Sequence, residues 1–342
     1  MNRMMQRMII TAFLLAFWGL MIGNIGPARA ETPEEFYRGK ILTIVTNEPG
    51  GPPDLMARTV APFLAKEIGA KVKVENRKTD EVMNYVYGQG ARGSLILGIV
   101  TNDSVIGNDI LKAPGVQYET DKFNFVADIY PAVRLFQLSP KLPYKTLEAL
   151  RKAKGLRGGG TSAKGAIAVS TAVMFEILGL DGKIITGFEG KKALTLAMAR
   201  GEIDCMSTSD STAARDEKDG YVVNFMATGN KRSAVVPHVP TLSELGVKVS
   251  KEMAAVHAFA ITGGTTVALP PGVPQERVEY LRKAFQNLNS NKDLQKGMEK
   301  LTNNWTPFVS GQDLQQEMVA MKADKEAAAK LDAIFKKYTA LR

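Results

Sequence analysis

The chain has little cysteine and little histidine, and both shortages exclude classes of protein. One cysteine and two histidines occur in 342 residues. A single cysteine forms no internal disulfide, and these three residues are too few for a structural zinc site, which takes four ligands. Cys205 has no histidine beside it in sequence and is predicted to pack inertly. His238 and His257 lie in no G-x-S-x-G or H-E-x-x-H motif, so neither indicates catalysis.

Aromatic residues and excess charge are also scarce. Aromatic side chains make up 7% of the chain, and the net charge is +9. Without the three arginines of residues 1–30 the net charge falls to +6. This mild positive field favours small anionic ligands and argues against a nucleic-acid partner. The 45% hydrophobic content is that of a globular protein, and the length exceeds the roughly 250–300 residues at which a single core stops growing. Two lobes are therefore expected.

Residues 1–30 have the pattern of a signal peptide. Arg3 and Arg7 precede an almost wholly apolar run at 8–22, and Ala28-Arg29-Ala30 is a small-x-small cleavage site. The alternative is a membrane anchor, but the apolar run is short for a bilayer span. No cysteine stands near the cut for lipid attachment. A secreted, unanchored protein without disulfides suits a Gram-negative periplasm.

Short β-rich runs alternate with helical patterns along the remaining chain, which predicts parallel sheets covered by helices. The expected fold class is α/β, with two doubly wound lobes and a hinge between them. Residues 31–130 are predicted to form the first lobe and residues 131–253 the second. Residues 254–342 are predicted to return to the first lobe, with a return strand at 254–262 and a long last helix at 312–338.

The first candidate binding loop follows the predicted strand at 41–46 and opens a helix. At this position doubly wound sheets bind ligands. Glycines let main-chain N–H groups approach a ligand closely, and the positive end of the helix suits an anion such as a carboxylate. A plain β–α turn is the alternative. The candidate ligand-binding residues of this loop are Asn47, Pro49, Gly50, Gly51 and Asp54.

The second candidate loop is the glycine-rich run 158–165, again between a strand and a helix. It is not a Walker A motif, because Lys164 is followed by Gly165 and Ala166 and no hydroxyl is placed for magnesium. An anion-binding nest remains possible, as does a flexible loop with a solvated lysine. The candidate residues here are Thr161, Ser162, Lys164 and Gly165.

Two further strand ends carry polar residues toward what should be a common cleft. Residues 204–210 run from a strand into a predicted polar turn. Their S-D-S sequence lacks the S-x-x-K and K-T-G partners of penicillin-binding enzymes. No metal or cofactor is expected from any of these loops. The candidate ligand-binding residues are Asn102 and Ser104 after one strand, and Ser207, Thr208 and Asp210 after the other.

Several of these runs resemble the periplasmic solute-binding proteins of tripartite tricarboxylate transporters, the Bug-type receptors. The resemblance covers nearly the whole chain after the leader. It is carried by Pro49-Gly50-Gly51-Pro52-Pro53-Asp54, Val74-Glu75-Asn76-Arg77, Gly187-Phe188-Glu189-Gly190, Ala199-Arg200-Gly201-Glu202-Ile203-Asp204, Val236-Pro237-His238-Val239-Pro240-Thr241-Leu242 and Leu269-Pro270-Pro271-Gly272-Val273-Pro274.

The resemblance implies a two-lobed periplasmic receptor that closes over a small organic acid, often a di- or tricarboxylate. Its partners would be that acid and the membrane permease subunits, and the receptor is expected to be a monomer. By position, the loops 47–54 and 161–165 would hold a carboxylate, and 207–210 would sense the far end of the ligand. The sequence departs from the family pattern at one place. After Asn76-Arg77, where the family has a glycine-rich turn, this chain has Lys78-Thr79-Asp80-Glu81-Val82.

Two other functions are compatible with the sequence. A sensor subunit would deliver its ligand-bound form to a membrane signalling protein instead of a permease. A periplasmic hydrolase would use Ser162 or Ser207 as its nucleophile, but the sequence places no histidine near either as a base. The expectation is therefore a binding protein and not an enzyme.

Overall fold

The computed structural model describes residues 31–161 and 165–339, apart from the side chains of Thr79 and Asp80. The predicted signal segment lies outside the described residues, as do the candidate ligand residues Ser162 and Lys164. Within the described part of the chain, eleven strands form two separate sheets. No helix among the described residues is both long enough and apolar enough to cross a membrane.

The first sheet has six strands in the spatial order β11-β4-β10-β3-β1-β2. Strand β1 pairs in parallel with β2 and β3, and β10 runs antiparallel to both β3 and β4. The central strands are apolar and buried, as strands covered on both faces must be. The strands are β1 (Ile41–Thr46), β2 (Lys71–Asn76), β3 (Ile96–Thr101), β4 (Asn124–Asp128), β10 (Thr265–Leu269) and β11 (Val309–Ser310).

The second sheet has five strands in the order β7-β6-β8-β5-β9. Strand β6 is parallel to β7 and β8, whereas β5 runs antiparallel to β8 and β9. The chain enters this sheet on β5, so the first residue of β5 lies at the edge where β8 ends. The strands are β5 (Arg134–Leu138), β6 (Leu156–Gly159), β7 (Gly182–Ile185), β8 (Cys205–Ser209) and β9 (Val223–Ala227).

Helices cover both sheets. In the helix Pro52–Ile68, for example, Val60, Leu64 and Ile68 are fully or almost fully buried. Burial of each such side chain contributes roughly 1.5–3 kcal/mol to the free energy of unfolding. The helices of residues 33–218 are α1 (Pro33–Tyr37), α2 (Pro52–Ile68), α3 (Thr79–Gly88), α4 (Asn102–Ile110), α5 (Leu147–Lys152), α6 (Ala166–Leu178), α7 (Gly190–Arg200) and α8 (Asp210–Lys218). Those of residues 251–339 are α9 (Lys251–Ile261), α10 (Gln275–Leu288), α11 (Lys292–Thr302), α12 (Gly311–Ala323) and α13 (Lys325–Thr339).

The chain passes between the two sheets three times. Residues 129–133 connect β4 to β5, and a second connection leads from β9 through α9 to β10. The third passage joins α12, which packs on β4, to α13, which packs on α6 and β7. The predicted two-lobed α/β fold is confirmed.

The predicted return strand at 254–262 is wrong. Residues 254–261 lie in α9, which packs on α6, and the strand that returns to the first sheet is β10. The run is rich in alanine and mostly apolar, so its hydrophobicity fits a buried strand and a buried helix equally well. Gly263 and Gly264 separate the helix from the strand.

The predicted long helix at 312–338 is two helices, α12 and α13. Asp324 between them has non-helical dihedrals (φ −80°, ψ 86°), and its Oδ1 accepts a hydrogen bond from the N–H of Ala327 at 2.8 Å. This is the geometry of an N-terminal cap, and it redirects the chain. As a result α13 covers the second sheet, although the sequence predicted that residues 254–342 would belong to the first lobe.

Candidate functional site

The candidate loops lie at the carboxyl ends of parallel strands in each sheet. In the first lobe, β1 leads into α2 and the neighbouring β3 leads into α4. In the second lobe, β6 leads to α6 and β8 leads to α8. Because β5 is antiparallel to β8, its first residue, Arg134, pairs with Ser209 at that same edge. Five chain segments therefore reach the ends of the sheets where α/β proteins bind ligands.

The loop from Asn47 to Asp54 is held in shape by the Asp54 carboxylate. This carboxylate accepts hydrogen bonds from the N–H of Gly50 (2.9 Å) and from Asn76 Nδ2 (2.7 Å), and it pairs with Arg58 (2.9 Å). Burial opposes the charged form, but these partners outweigh it and the pKa of Asp54 is lowered. Asp54 is 2% exposed, so its carboxylate stabilises the loop and does not face solvent. Pro49 and Gly50, by contrast, are exposed.

Asn102 and Ser104 at the start of α4 are engaged in local structure. Asn102 Nδ2 donates to Asp128 Oδ2 at 2.7 Å and is 3.3 Å from the carbonyl of Gly263. Ser104 Oγ shares a hydrogen bond with Thr101 Oγ1 at 2.8 Å. Asn102 therefore joins the start of α4 to β4 and to the connection that leads from α9 to β10, a role that the sequence did not indicate.

The second candidate loop is described at its two ends. Thr161 is half-buried, and Gly165 is the N-cap of α6 with extended dihedrals (φ −70°, ψ 153°). The first turn of α6 begins at the next residue, Ala166, and the N–H groups of a first turn have no partner within their own helix. That Thr161 and Gly165 contact a ligand stays a prediction.

Ser207, Thr208 and Asp210 do not form the predicted polar turn. The first two lie inside β8, and Asp210 begins α8. Ser207 Oγ is 3.0 Å from Ser170 Oγ, and Thr208 Oγ1 donates to Gln137 Oε1 at 2.8 Å. Strand β8 is central and covered, so its polar side chains need internal partners. Their contact with a ligand stays a prediction, and the structure gives each of them another role.

Asp210 is the acceptor of a buried network in the second lobe. Tyr130 Oη donates to its Oδ1 at 2.5 Å and Ser233 Oγ to its Oδ2 at 2.8 Å. Asp210 is 5% exposed, so each donor replaces water that burial has removed.

We expect Tyr130→Phe to lower the free energy of unfolding by about 1–3 kcal/mol, because a buried carboxylate would lose a charge-assisted hydrogen bond. Denaturant titration measures the change. Tyr221→Phe is the matched control, since Tyr221 is 36% exposed, and we expect a change within about 0.5 kcal/mol. Equal effects of the two substitutions would contradict this role of Tyr130.

Sequence reasoning missed an ion pair between the lobes. Arg134 of β5 pairs with Asp103 of α4, and the two side chains are 5% and 14% exposed. Arg134 also donates from Nε to the carbonyl of Thr262 (3.4 Å) and from Nη1 to that of Ser207 (3.3 Å). Burial lowers the pKa of Arg134 to about 10, so the guanidinium is charged at neutral pH. The sequence feature that could have indicated this ion pair is a charged residue, Arg134, directly before the apolar residues Leu135 and Phe136.

The lobes are closed on each other around this pair. Asp103 and Gly107 of α4, together with Ala166 and Ser170 of α6, line a narrow gap, and Arg134 lines it too. The gap has a volume of about 10 Å³, no larger than one water molecule. Among the described residues, the first lobe contributes α4 to this gap and not the loop 47–54. That the loops 47–54 and 161–165 face each other stays a prediction.

A second cation near this edge is Lys191, the second residue of α7. Burial lowers the pKa of Lys191 to about 7, against the opposing effect of the Asp216 carboxylate. The positive charges of Arg215 and Arg134 add to the lowering. A lysine with this pKa is partly charged at neutral pH, and such shifted groups concentrate at functional sites.

The described cysteine and histidines have structural surroundings. Cys205 is buried in β8, and burial raises the pKa of its thiol, which makes it a poor nucleophile. His257 lies in α9, not in a strand, and its Nε2 is 2.6 Å from the carbonyl of Thr228. His238 contacts Glu217 at 3.1 Å. Among the described residues, no group of three or more His, Cys, Asp or Glu could hold a metal ion.

Comparison with known proteins gives two curated relatives. A UPF0065 protein from the TAR-I ttuE-ttuC' intergenic region of Agrobacterium vitis is 25% identical over 285 residues, covering 78% of this chain and 78% of the relative. The protein BugT of Bordetella pertussis is 24% identical over 243 residues, covering 68% of this chain and 74% of BugT. No protein-family model matches the chain.

Solved structures share the fold. MatC from Rhodopseudomonas palustris with bound malate has a TM-score of 0.65 at 20% identity, covering 86% of this chain and 99% of MatC. An adipate-bound protein of R. palustris has a TM-score of 0.69 at 20% identity, covering 86% and 97%. A TctC solute-binding protein from Polaromonas has a TM-score of 0.68 at 17% identity, covering 86% and 99%. The resemblance read from the sequence is confirmed to this extent: a curated relative of this chain is BugT, and its fold is that of a TctC solute-binding protein.

Proposed function

We propose that this chain is a periplasmic receptor that captures a small organic carboxylate between its lobes and presents it to the permease subunits of a tripartite tricarboxylate-type transporter. The observation that carries the proposal is the meeting of α4 and α6 around buried Arg134, in a fold shared with malate-bound and adipate-bound proteins. Helix N-termini and a buried guanidinium are the groups that stabilise a carboxylate.

The free energy of capture is within reach of these groups. Micromolar binding requires about 8 kcal/mol net. Five or six charge-assisted hydrogen bonds at about 1.5–3 kcal/mol each, less the cost of closing the lobes, give that magnitude. The ligand favours the closed state only by the contacts that it makes with both lobes together. A receptor of this kind needs no catalytic group.

A binding role also fits the surroundings of Ser207, the candidate nucleophile that the structure describes, better than an enzymatic role does. The Ser207 hydroxyl is buried against Ser170, and the Cys205 thiol is buried in the same strand. A serine nucleophile needs a base within hydrogen-bond reach. The two histidines of the chain, His238 and His257, contact Glu217 and the Thr228 carbonyl instead. The comparison proteins are solute-binding proteins, which supports the same reading.

The cellular placement belongs to the same proposal. Cleavage after Ala30 would release a mature monomer of residues 31–342 into the periplasm without a lipid anchor. The charged n-region, apolar run and small-x-small site support export. The comparison with solute-binding proteins supports the location.

Native mass spectrometry of the protein purified from the periplasm tests the proposal. We expect a co-purified organic acid, and we expect that acid to raise the melting temperature of ligand-free protein. At 100 times its Kd, a ligand adds about 2.7 kcal/mol to the free energy of unfolding. A panel of mono-, di- and tricarboxylates, which includes the di- and tricarboxylates that the family resemblance favours, identifies the class. Absence of stabilisation by every acid, or turnover of esters or amides, would contradict the proposal.

We expect Gly51→Val to abolish stabilisation by that acid while the protein stays folded. Gly51 is the N-cap of α2 with φ −73°, and a Cβ there would meet the Glu48 carbonyl at an ordinary 3.4 Å. Valine is thus tolerated by the backbone, but its side chain crowds the main-chain N–H groups of Gly51 and Asp54, since Pro52 and Pro53 at the start of α2 have none. Thermal shift with and without the acid measures the effect.

The matched control is Gly88→Val at the end of α3, where a Cβ meets nothing within 4 Å. We expect it to keep the ligand-induced shift. Thr161→Ala tests the second loop in the same assay, and we expect a reduced shift. If Gly51→Val and Thr161→Ala both bind the acid like the wild type, the assignment of the two loops is wrong.

A further inference from the structure

The ion pair between Asp103 and Arg134 joins the two lobes, and both residues line the gap. Arg134 is fixed on one side by the carbonyls of Ser207, in the second lobe, and of Thr262, in a connection between the lobes. Asp103 reaches it from the second position of α4, in the first lobe. The carboxylate therefore crosses from one lobe to a cation held by the other.

Arg134 has the capacity to bind a carboxylate other than that of Asp103. A guanidinium has five N–H donors in a planar fork suited to carboxylates, and the contacts with Thr262, Ser207 and Asp103 use three of them. Because Arg134 is 5% exposed, closing the lobes over it without a counter-anion would be strongly unfavourable. In the closed state a carboxylate must therefore pair with this guanidinium. In this structure that carboxylate is the side chain of Asp103.

No space for a second acid group remains beside the pair. The gap lined by Asp103, Arg134 and Ser170 has room for about one water molecule, and a carboxylate group is larger than a water molecule. A ligand carboxylate can reach Arg134 only if the Asp103 carboxylate moves away. The moved carboxylate would then lie close to a negatively charged ligand, which is unfavourable in a partly buried site.

We propose that Asp103 is a specificity-determining residue whose carboxylate competes with the second carboxylate of a ligand for the guanidinium of Arg134. The inference rests on the proposed function and concerns the same cleft. The competition lowers the affinity of the wild-type receptor for di- and tricarboxylates relative to acids with one carboxylate and a neutral or hydrogen-bonding far end.

Isothermal titration calorimetry on wild type and Asp103→Asn tests the competition with two acids of equal chain length, adipate and hexanoate. Asparagine keeps the size of the side chain and removes its charge. We expect the ratio of adipate affinity to hexanoate affinity to rise at least tenfold in D103N, because Arg134 then lacks its internal counter-anion. In the double variant with Arg134→Gln, this gain is expected to disappear. Glu244→Gln, which breaks the exposed pair with Arg232, is the control and leaves the ratio unchanged.

The outcomes separate this inference from the proposed function. If both proteins bind the acids and the ratio changes less than twofold, Asp103 does not compete and the inference is overturned alone. A drop in the affinity of D103N for both acids would show that the pair only holds the lobes closed, and it also overturns the inference. If neither protein binds any carboxylate while both unfold cooperatively, the proposed function fails and the inference with it.

Discussion

Replacing Gly264 with alanine is expected to lower the free energy of unfolding by about 3 kcal/mol or more. Gly264 lies between α9 and β10 with φ +142°, a conformation that residues with a Cβ rarely adopt. An added Cβ would overlap Asp128 Oδ2 and Asn102 Nδ2, which form a buried hydrogen bond of 2.7 Å. The substitution therefore combines backbone strain with the disruption of a buried polar contact. Urea denaturation measures the change.

Gly220→Ala separates the two contributions. Gly220 also has a positive φ, +74°, but a Cβ there meets nothing within 4 Å. We expect a loss of only about 1 kcal/mol, from the backbone conformation alone. If Gly264→Ala costs no more than this control, the packing around Asp128 is not as close as described.

Removal of the Asp128 carboxylate is expected to be comparably destabilising. Its Oδ1 accepts the N–H of Tyr130 (2.9 Å) and the N–H of Thr265 (3.0 Å), and its Oδ2 accepts Asn102 Nδ2 (2.7 Å). These donors come from the connection between β4 and β5, from the first residue of β10 and from the start of α4. Asp128→Ala would leave three buried donors without an acceptor, at about 1–3 kcal/mol each. We expect a loss of about 3–5 kcal/mol in denaturant titrations, and a smaller loss for Asp128→Asn, which keeps one oxygen.

The pH dependence of stability provides an independent measurement of the same carboxylate. Burial raises the pKa of Asp128 to about 6, although the hydrogen bonds from Tyr130, Asn102 and Thr265 oppose the rise, and the charge of Glu317 adds to it. A pKa above the unfolded value of 3.8 means that the folded state binds the proton more tightly. This contribution is fully present below about pH 4 and is lost as the pH rises through 6.

The stability of wild type minus that of Asp128→Asn is therefore expected to decrease by up to about 3 kcal/mol between pH 4 and pH 7. Asparagine does not titrate, so the other titrating groups cancel in the difference. Urea titrations of both proteins across this range give the curve. A difference that stays flat with pH would show that Asp128 is ionised at its ordinary pKa.

Asp128 and Gly264 also explain how the lobes and the candidate site are connected. The carboxylate of Asp128 joins the connection between β4 and β5, through Tyr130, and the start of β10 to Asn102, the first residue of α4. The next residue is Asp103, which pairs with Arg134 across the lobes. A change in the angle between the lobes therefore moves the start of α4 and the ion pair together.

Elements defined by short-range interactions were predictable. The β-rich run at 41–46 is β1 as predicted, and the prolines and glycines at 49–53 mark the turn into α2. The run 254–262 was not predictable in this way, because an apolar, alanine-rich segment fits either periodicity until its packing on α6 is known. Asp324 was a polar residue within a helical pattern, and only its cap on Ala327 reveals the break.

The positions of the candidate loops in the fold were predictable, and the partners of their side chains were not. The sequence placed polar, glycine-bearing loops at the ends of strands, since strand and helix periods are local properties of the chain. It did not predict that Ser207, Thr208 and Asp210 bind internal partners, because those partners lie on another helix, another strand and a distant loop.

The amino-acid sequence by itself determined the α/β class, the two lobes, the positions of the β–α loops and the likeness to Bug-type receptors. The tertiary structure alone decided that Asp103 meets Arg134 across the lobes and that Asp128 binds Thr265, 137 residues away in the chain. The physical reason is the distance along the sequence over which each kind of interaction acts. Periodicity and turn propensity act between neighbours, whereas the partner of a buried charge is fixed by packing among segments that are distant in sequence.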